Sequence, residues 1–133
     1  MKVAELMQTS LKTIGTEASV ADAVDALTEA QVSSLPVLDR YGRAVGVVST
    51  TDVLRAESLC DTPELRERLF VSTPVLEIMT AWPGTIEPDA AVRDAAREML
   101  YLNVPRLFVE YDGALVGVIS QTDIVGAVAA ARV

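Results

Sequence analysis

The feature that most constrains this sequence is an internal repeat that covers nearly all of its 133 residues. Glu5-Leu6-Met7 recurs as Glu77-Ile78-Met79 at an offset of 72 residues. After a one-residue deletion in a turn, Gly46–Asp52 matches Gly117–Asp123 at an offset of 71 residues. Agreement over this much of the unit indicates two copies of one small fold that pack against each other.

Each copy predicts the same order of elements. A short extended piece at Thr13-Ile14 or Thr85-Ile86 precedes an amphipathic helix with apolar residues at i, i+3, i+4 and i+7. Ser19 and Asp89 are the predicted N-caps of these two helices. A hairpin follows in each copy, and a last helix begins around Thr50 or Gln121. The predicted strands are residues 35–38 and 44–48 in copy one, and 107–110 and 115–119 in copy two.

These strands are nearly continuously apolar, which predicts that both faces of each sheet are buried. A copy of about 55 residues is marginally stable alone, so pairing of the copies is expected. The predicted fold is α/β (α+β), with two repeats that each form a small sheet with flanking helices. We place repeat one at residues 1–56, a linker with a short helix starting at Thr62-Pro63 at residues 57–74, and repeat two at residues 75–133.

Composition excludes several classes of function. The sequence has no histidine and a single cysteine, Cys60, so neither a metal site nor a disulfide within the chain is expected. A free thiol is typical of a reducing compartment. The net charge of −8 disfavours nucleic acid and anionic membranes as partners. With neither a signal peptide nor a membrane span in the sequence, we expect a soluble cytoplasmic protein.

The matched motifs resemble those of the CBS (cystathionine β-synthase) domain. The resemblance rests on Gly46–Asp52, Gly117–Asp123 and Ser34–Val37, and it covers residues 3–56 and 75–130. Two such domains in tandem resemble a Bateman module, here a stand-alone CBS-pair protein. The resemblance implies pseudo-twofold repeats with clefts between them, association of two pairs as a disk-like homodimer (head-to-head or head-to-tail), and an adenine nucleotide ligand such as AMP, ADP or ATP, with no required cofactor.

The residue types at the strand-to-helix junctions suit a nucleotide. Asp52 and Asp123 can accept hydrogen bonds from both hydroxyls of a ribose. The hydroxyls of Ser49 and Ser120, next to a helix start, suit a phosphate. The same Ser-x-x-Asp spacing also predicts a capping box, and the two roles are compatible.

Other candidate residues follow from the resemblance. It implies that Thr13 and Thr85 lie beside the adenine, although either is equally a strand residue. It implies that Arg106 reaches ligand phosphates, where copy one has Ser34; the alternative is a solvated arginine. Ser34 and Pro36 belong to the copy-one cleft, which we expect to hold a nucleoside or nothing, while the Arg106 cleft favours a nucleotide. Phe108 stands where copy one has Pro36, and its bulk is expected to narrow the second cleft.

Two functions therefore compete. The first is a non-catalytic regulatory module that senses an adenine-containing ligand. The second is a ligand-free dimerisation or interaction module that docks on a partner enzyme or transporter. An enzyme is not expected, since the sequence has no histidine and places no nucleophile beside a base.

Overall fold

The structure, a computed structural model, describes residues 1–82 and 84–130. The chain forms two compact units. The repeat-one unit contains residues 12–82, and the repeat-two unit contains residues 1–11 together with residues 84–130. Each unit is a small mixed sheet with helices, as the repeat predicts.

The repeat-one unit has a four-stranded sheet in the order β1-β2-β3-β4, with β1 parallel to β2 and the other pairs antiparallel. Its elements in chain order are β1 Ile14–Gly15, α1 Val20–Ala30, β2 Ser34–Leu38, β3 Ala44–Ser49, α2 Thr50–Glu57, α3 Pro63–Ser72, a single 3-10 turn Val75–Glu77, and β4 Thr80–Ala81. The predicted hairpin and the linker helix are thus confirmed.

The repeat-two unit has a three-stranded sheet in the order β5-β6-β7, with β5 parallel to β6 and β6 antiparallel to β7. Its elements are a 3-10 turn Val3–Glu5, β5 Thr85–Ile86, α4 Val92–Leu102, β6 Arg106–Tyr111, β7 Ala114–Ser120 and α5 Gln121–Ala129. Gln8 adds an isolated antiparallel bridge to Val118. That bridge occupies the position that β4 has in the other unit.

The first helices of the two copies start differently. The Ser19 side chain accepts a hydrogen bond from the backbone N–H of Asp22 at 3.1 Å, which confirms Ser19 as an N-cap. The prediction for Asp89 is wrong, because Ala91 is the N-cap of α4 and gives no side-chain cap. The backbone of this helix start is instead held from the N-terminal end of the chain, where Val92 N–H donates to the Met1 carbonyl at 3.0 Å.

Each core lies between the helices and one face of the sheet. In the repeat-two unit, buried residues of α4, α5 and the β6–β7 hairpin pack together with Val3. In the repeat-one unit, buried residues of α1 and the β2–β3 hairpin pack with Val75. Along β2 and β3, buried residues largely alternate with half-buried ones. The prediction that both faces are buried is therefore wrong for β2 and β3, because the helices cover one face and leave the other half-buried. In β6 three consecutive residues, 107–109, are buried, as predicted.

The start of each sequence copy packs with the sheet of the other copy. We call residues 1–11 and 74–82 the leading segments. Val3 N–H donates to the Ala90 carbonyl at 2.9 Å, and Val75 N–H donates to the Ala18 carbonyl at 2.7 Å. The compact units consequently divide the chain differently from the sequence repeats 1–56 and 75–133, of which Pro83 and residues 131–133 lie outside the described residues.

A glycine in the middle of a strand admits each leading segment. A β-carbon at Gly46 would lie 2.7 Å from the Thr80 carbonyl oxygen and 2.8 Å from Met79 Sδ. At Gly117 it would lie 2.7 Å from Met7 Sδ and 2.9 Å from the Gln8 carbonyl oxygen. These distances are too short for a side chain, so glycine is what lets the segment approach the strand.

Replacing Gly117 with alanine is expected to lower the free energy of unfolding by about 1–3 kcal/mol, because the strand or the leading segment must move to admit the methyl group. Urea unfolding measures the change. Gly126→Ala is the matched control: nothing lies within 4 Å of an added β-carbon there. Since it removes a glycine from α5, it should raise the free energy of unfolding by up to about 1 kcal/mol. A Gly117→Ala chain as stable as wild type would contradict the close approach.

Candidate functional site

The candidate site consists of two corners, where β3 runs into α2 and where β7 runs into α5. Ser49 and Ser120 are the N-caps, and their hydroxyls accept from the backbone N–H groups of Asp52 and Asp123, each at 3.1 Å. The aspartates return the bond: Oδ2 of Asp52 accepts from Ser49 N–H at 2.8 Å, and Oδ2 of Asp123 accepts from Ser120 N–H at 2.9 Å. Both predicted capping boxes are confirmed.

At the first corner, both carboxylate oxygens of Asp52 are heavily used. Oδ2 also accepts from the Ser49 hydroxyl at 2.9 Å. Oδ1 accepts from the Thr80 hydroxyl at 2.8 Å and from Arg55 Nη1 at 3.2 Å. Asp52 is 4% exposed. This carboxylate is therefore a saturated, buried group that joins α2 to the leading segment.

At the second corner, the Asp123 carboxylate accepts fewer hydrogen bonds from the described residues than that of Asp52. Its Oδ1 accepts from Gln8 Nε2 at 3.3 Å, a long bond between side chains that are accessible to water. The residue is half-buried rather than buried. Since a carboxylate offers about four acceptor positions, Asp123 keeps acceptor capacity beyond the Ser120 and Gln8 contacts that the described residues supply.

Sequence reasoning missed Gln8 and Thr80. Each follows a matched methionine, Met7 or Met79, so the offset of 72 residues already placed them at equivalent positions. In the structure each reaches the aspartate of the copy to which its leading segment is joined, across 115 residues for Gln8 and 28 residues for Thr80. The offset was the available signal, but it did not show which sheet the segment joins.

Ser34 and Arg106 lie at the corners. In the hairpin registers Ser34 is the cross-strand partner of Ser49, and Arg106 is the partner of Ser120. Arg106 is exposed and Ser34 half-buried. Their cross-strand neighbours are therefore the cap residues, and the binding roles of Ser34 and Arg106 stay predictions.

The remaining candidates lie further along the strands. Pro36 pairs with Val47, two positions into the sheet, and is half-buried. Thr85 lies in β5 and pairs with Phe108 of β6, and Thr13 immediately precedes β1. Both threonines are exposed. Phe108 is 3% exposed. The binding roles of these residues stay predictions.

A surface recess of about 670 Å³ lies at the opposite end of the repeat-one sheet. Asp39, which lines it, accepts at Oδ1 from the backbone N–H groups of Tyr41 and Arg43 at 2.8 and 3.0 Å. This carboxylate therefore stabilises its own turn. None of the predicted site residues lines the recess, whose walls include Gly15, Leu38, Arg40, Tyr41, Val45 and Leu76.

Within residues 1–82 and 84–130, no three His, Cys, Asp or Glu side chains are grouped closely enough to hold a metal ion. Across the same residues, none of the helices has the length and apolar character that crossing a bilayer requires.

Replacing Asp52 with asparagine is expected to lower the free energy of unfolding by about 1–3 kcal/mol, because one oxygen becomes an NH₂ group that faces hydrogen-bond donors. Asp123→Asn is the matched variant and should cost less than about 1 kcal/mol, since the Gln8 amide can turn its oxygen towards the new NH₂ group. Thermal and urea unfolding measure both. An equal loss of unfolding free energy in the two variants would contradict the stronger hydrogen bonding of Asp52.

The family model and two related proteins that match this chain all point to one family. The model of the CBS domain matches residues 3–59 and 71–130. CBSX2, a chloroplastic CBS domain-containing protein of Arabidopsis thaliana, is 29% identical over 139 residues, covering 89% of this chain and 58% of that protein. A CBS domain-containing protein of Dictyostelium discoideum is 31% identical over 126 residues, covering 92% of this chain and 87% of its own length.

A solved structure of CBSX2 in complex with AMP superimposes with a TM-score of 0.78 at 30% identity, covering 99% of this chain and 98% of that chain. The A-adding tRNA nucleotidyltransferase of Aquifex aeolicus is 30% identical over 128 residues, covering 96% of this chain but 14% of the enzyme. The chain thus spans little more than half of CBSX2 and a small part of the enzyme.

Proposed function

This chain belongs to the CBS domain family and carries the domain twice, and on that premise we propose that it is a non-catalytic regulatory module. Its ligand is an adenine nucleotide, AMP, ADP or ATP, bound at the CBS repeats. Regulation requires that the ligand bind two arrangements of the protein with different affinity, since equal affinity shifts no equilibrium.

The observation that carries the proposal is the chemistry of the Asp123 corner. A half-buried carboxylate with spare acceptor capacity lies one helical turn from the Ser120 hydroxyl. Arg106 is the cross-strand partner of Ser120. A carboxylate suits the two hydroxyls of a ribose, and a guanidinium suits a phosphate. The corner thus offers a complementary group to the ribose and to the phosphate of a nucleotide.

The AMP complex of CBSX2 supports the ligand class, because that chain shares the fold and 30% of its residues with this one over nearly the whole length. The absence of histidine from the sequence supports a non-catalytic role. The resemblance to the Aquifex nucleotidyltransferase covers 14% of that enzyme. Its activity is therefore no part of this proposal.

The second candidate function is a ligand-free interaction module that docks on a partner enzyme or transporter. Exposed apolar side chains on two helices that contact each other favour it. On α4, Leu100 and Tyr101 are 76% and 79% exposed; on α5, Val125 and Val128 are 65% and 58% exposed. A homodimer, disk-like in form, would cover such residues and is compatible with either function. The single free cysteine, Cys60, agrees with a cytoplasmic location.

Addition of AMP, ADP or ATP is expected to stabilise the chain against unfolding. A nucleotide present at about 100 times its Kd adds about 2.7 kcal/mol to the free energy of unfolding, which raises the Tm by several degrees. Differential scanning fluorimetry with each nucleotide measures the shift, with guanosine nucleotides as the control. A chain that sediments as a stable dimer and responds to no nucleotide at millimolar concentration would favour the interaction module.

Arg106→Gln is expected to weaken AMP binding about tenfold or more, because a charge-assisted bond to phosphate is lost. The affinity of the Arg106→Gln variant for adenosine should stay unchanged, because adenosine has no phosphate. Arg97→Gln removes the same charge from an exposed position on α4, where the guanidinium lies 3.9 Å from Asp94, and serves as the matched control. Isothermal titration calorimetry distinguishes the variants. Equal weakening of AMP and adenosine would contradict a phosphate role for Arg106.

A further inference from the structure

We propose that the two matched aspartates have separate tasks. Asp123 receives the ligand, and Gln8 holds its carboxylate in the unbound state and leaves when the ligand binds. Asp52 is a structural group, held by Thr80 and Arg55, and takes no ligand. This inference rests on the proposed function and names the residue that competes with the ligand.

The engagement of Asp52 leaves a ligand little to bind. Two donors reach each of its oxygens, at 2.8 and 2.9 Å on Oδ2 and at 2.8 and 3.2 Å on Oδ1. The side chain is 3% exposed. A ribose would have to displace donors from a buried carboxylate, and each displaced donor needs a new partner. The exchange is unfavourable at this corner.

The contact at Asp123 costs much less to exchange. Its Oδ1 bond to Gln8 is 3.3 Å long and lies among exposed atoms. A hydrogen bond whose donor–acceptor distance is longer than usual, and which water can reach, contributes little net stability. When the amide leaves, water solvates it. A ribose hydroxyl can therefore take the position of Gln8 Nε2 at the expense of one weak bond.

The backbones of Gln8 and Thr80 are paired with equivalent strands, so their side chains decide how firmly each residue holds its aspartate. Gln8 N–H donates to the Val118 carbonyl at 2.8 Å, and Val118 N–H donates back at 3.0 Å. Thr80 pairs with Val47 in the matching strand. Threonine is short and stiff at χ1, so its hydroxyl stays on Asp52. Glutamine has three rotatable bonds, so its amide can swing away while its backbone stays fixed.

The test measures the affinities of AMP, ADP and ATP for the full chain by isothermal titration calorimetry. Gln8→Ala is expected to tighten binding about 2- to 3-fold, because a weak competing donor is gone. Gln8→Thr is expected to weaken it, since it installs at Asp123 the short hydroxyl that holds Asp52. Thr9→Ala, an exposed neighbour in the same segment, is the matched control and should leave affinity unchanged. Wild type should bind one nucleotide per chain, and Asp123→Asn should bind none.

The possible results separate this inference from the function on which it rests. If wild type binds a nucleotide while Gln8→Ala binds it no more tightly, the proposed function stands and the role of Gln8 is overturned. Binding that survives Asp123→Asn, or a second nucleotide per chain that Asp52→Asn removes, overturns the division of tasks. If neither wild type nor Gln8→Ala binds any of the three nucleotides, the proposed function itself fails.

Discussion

The rest of the structure depends on one close contact that the chain makes twice, a methionine laid against a glycine in the middle of a strand. Met7 lies against Gly117, and Met79 lies against Gly46. Because a side chain larger than hydrogen would overlap the sulfur or the backbone, these strands can accept the leading segment only at a glycine. The contact fixes the segment at the sheet edge and places the residue after each methionine beside a helix start.

That shared geometry presents different side chains to equivalent carboxylates. Thr80 and Gln8 are held by comparable backbone pairing, one to Val47 and the other to Val118. The hydroxyl bonds its aspartate at 2.8 Å and the amide bonds its aspartate at 3.3 Å. A duplicated frame thus carries two unequal corners, and the inequality comes from the side chains around each aspartate, among them Arg55 at Asp52, rather than from the fold.

The exchange of leading segments also makes the copies depend on each other. The Asp123 corner contains Gln8, which belongs to the first sequence copy, and the Asp52 corner contains Thr80, which belongs to the second. Neither sequence copy holds a complete corner by itself. A ligand that took the place of Gln8 at Asp123 would therefore change a contact made by a residue of the other sequence copy.

The sequence by itself determined the repeat, the order of the helices and of the strands other than β4, and the caps at Ser19, Ser49, Thr62 and Ser120. These features depend on residues within a few positions of one another, so periodicity and capping chemistry report them directly. The tertiary structure decided which sheet each leading segment joins, and hence that Gln8 meets Asp123 over 115 residues. It also supplied backbone contacts to the start of α4, where the local pattern had wrongly indicated Asp89 as the cap. Such contacts join residues far apart in the chain, and no local pattern encodes which of two equivalent sheets a segment will reach.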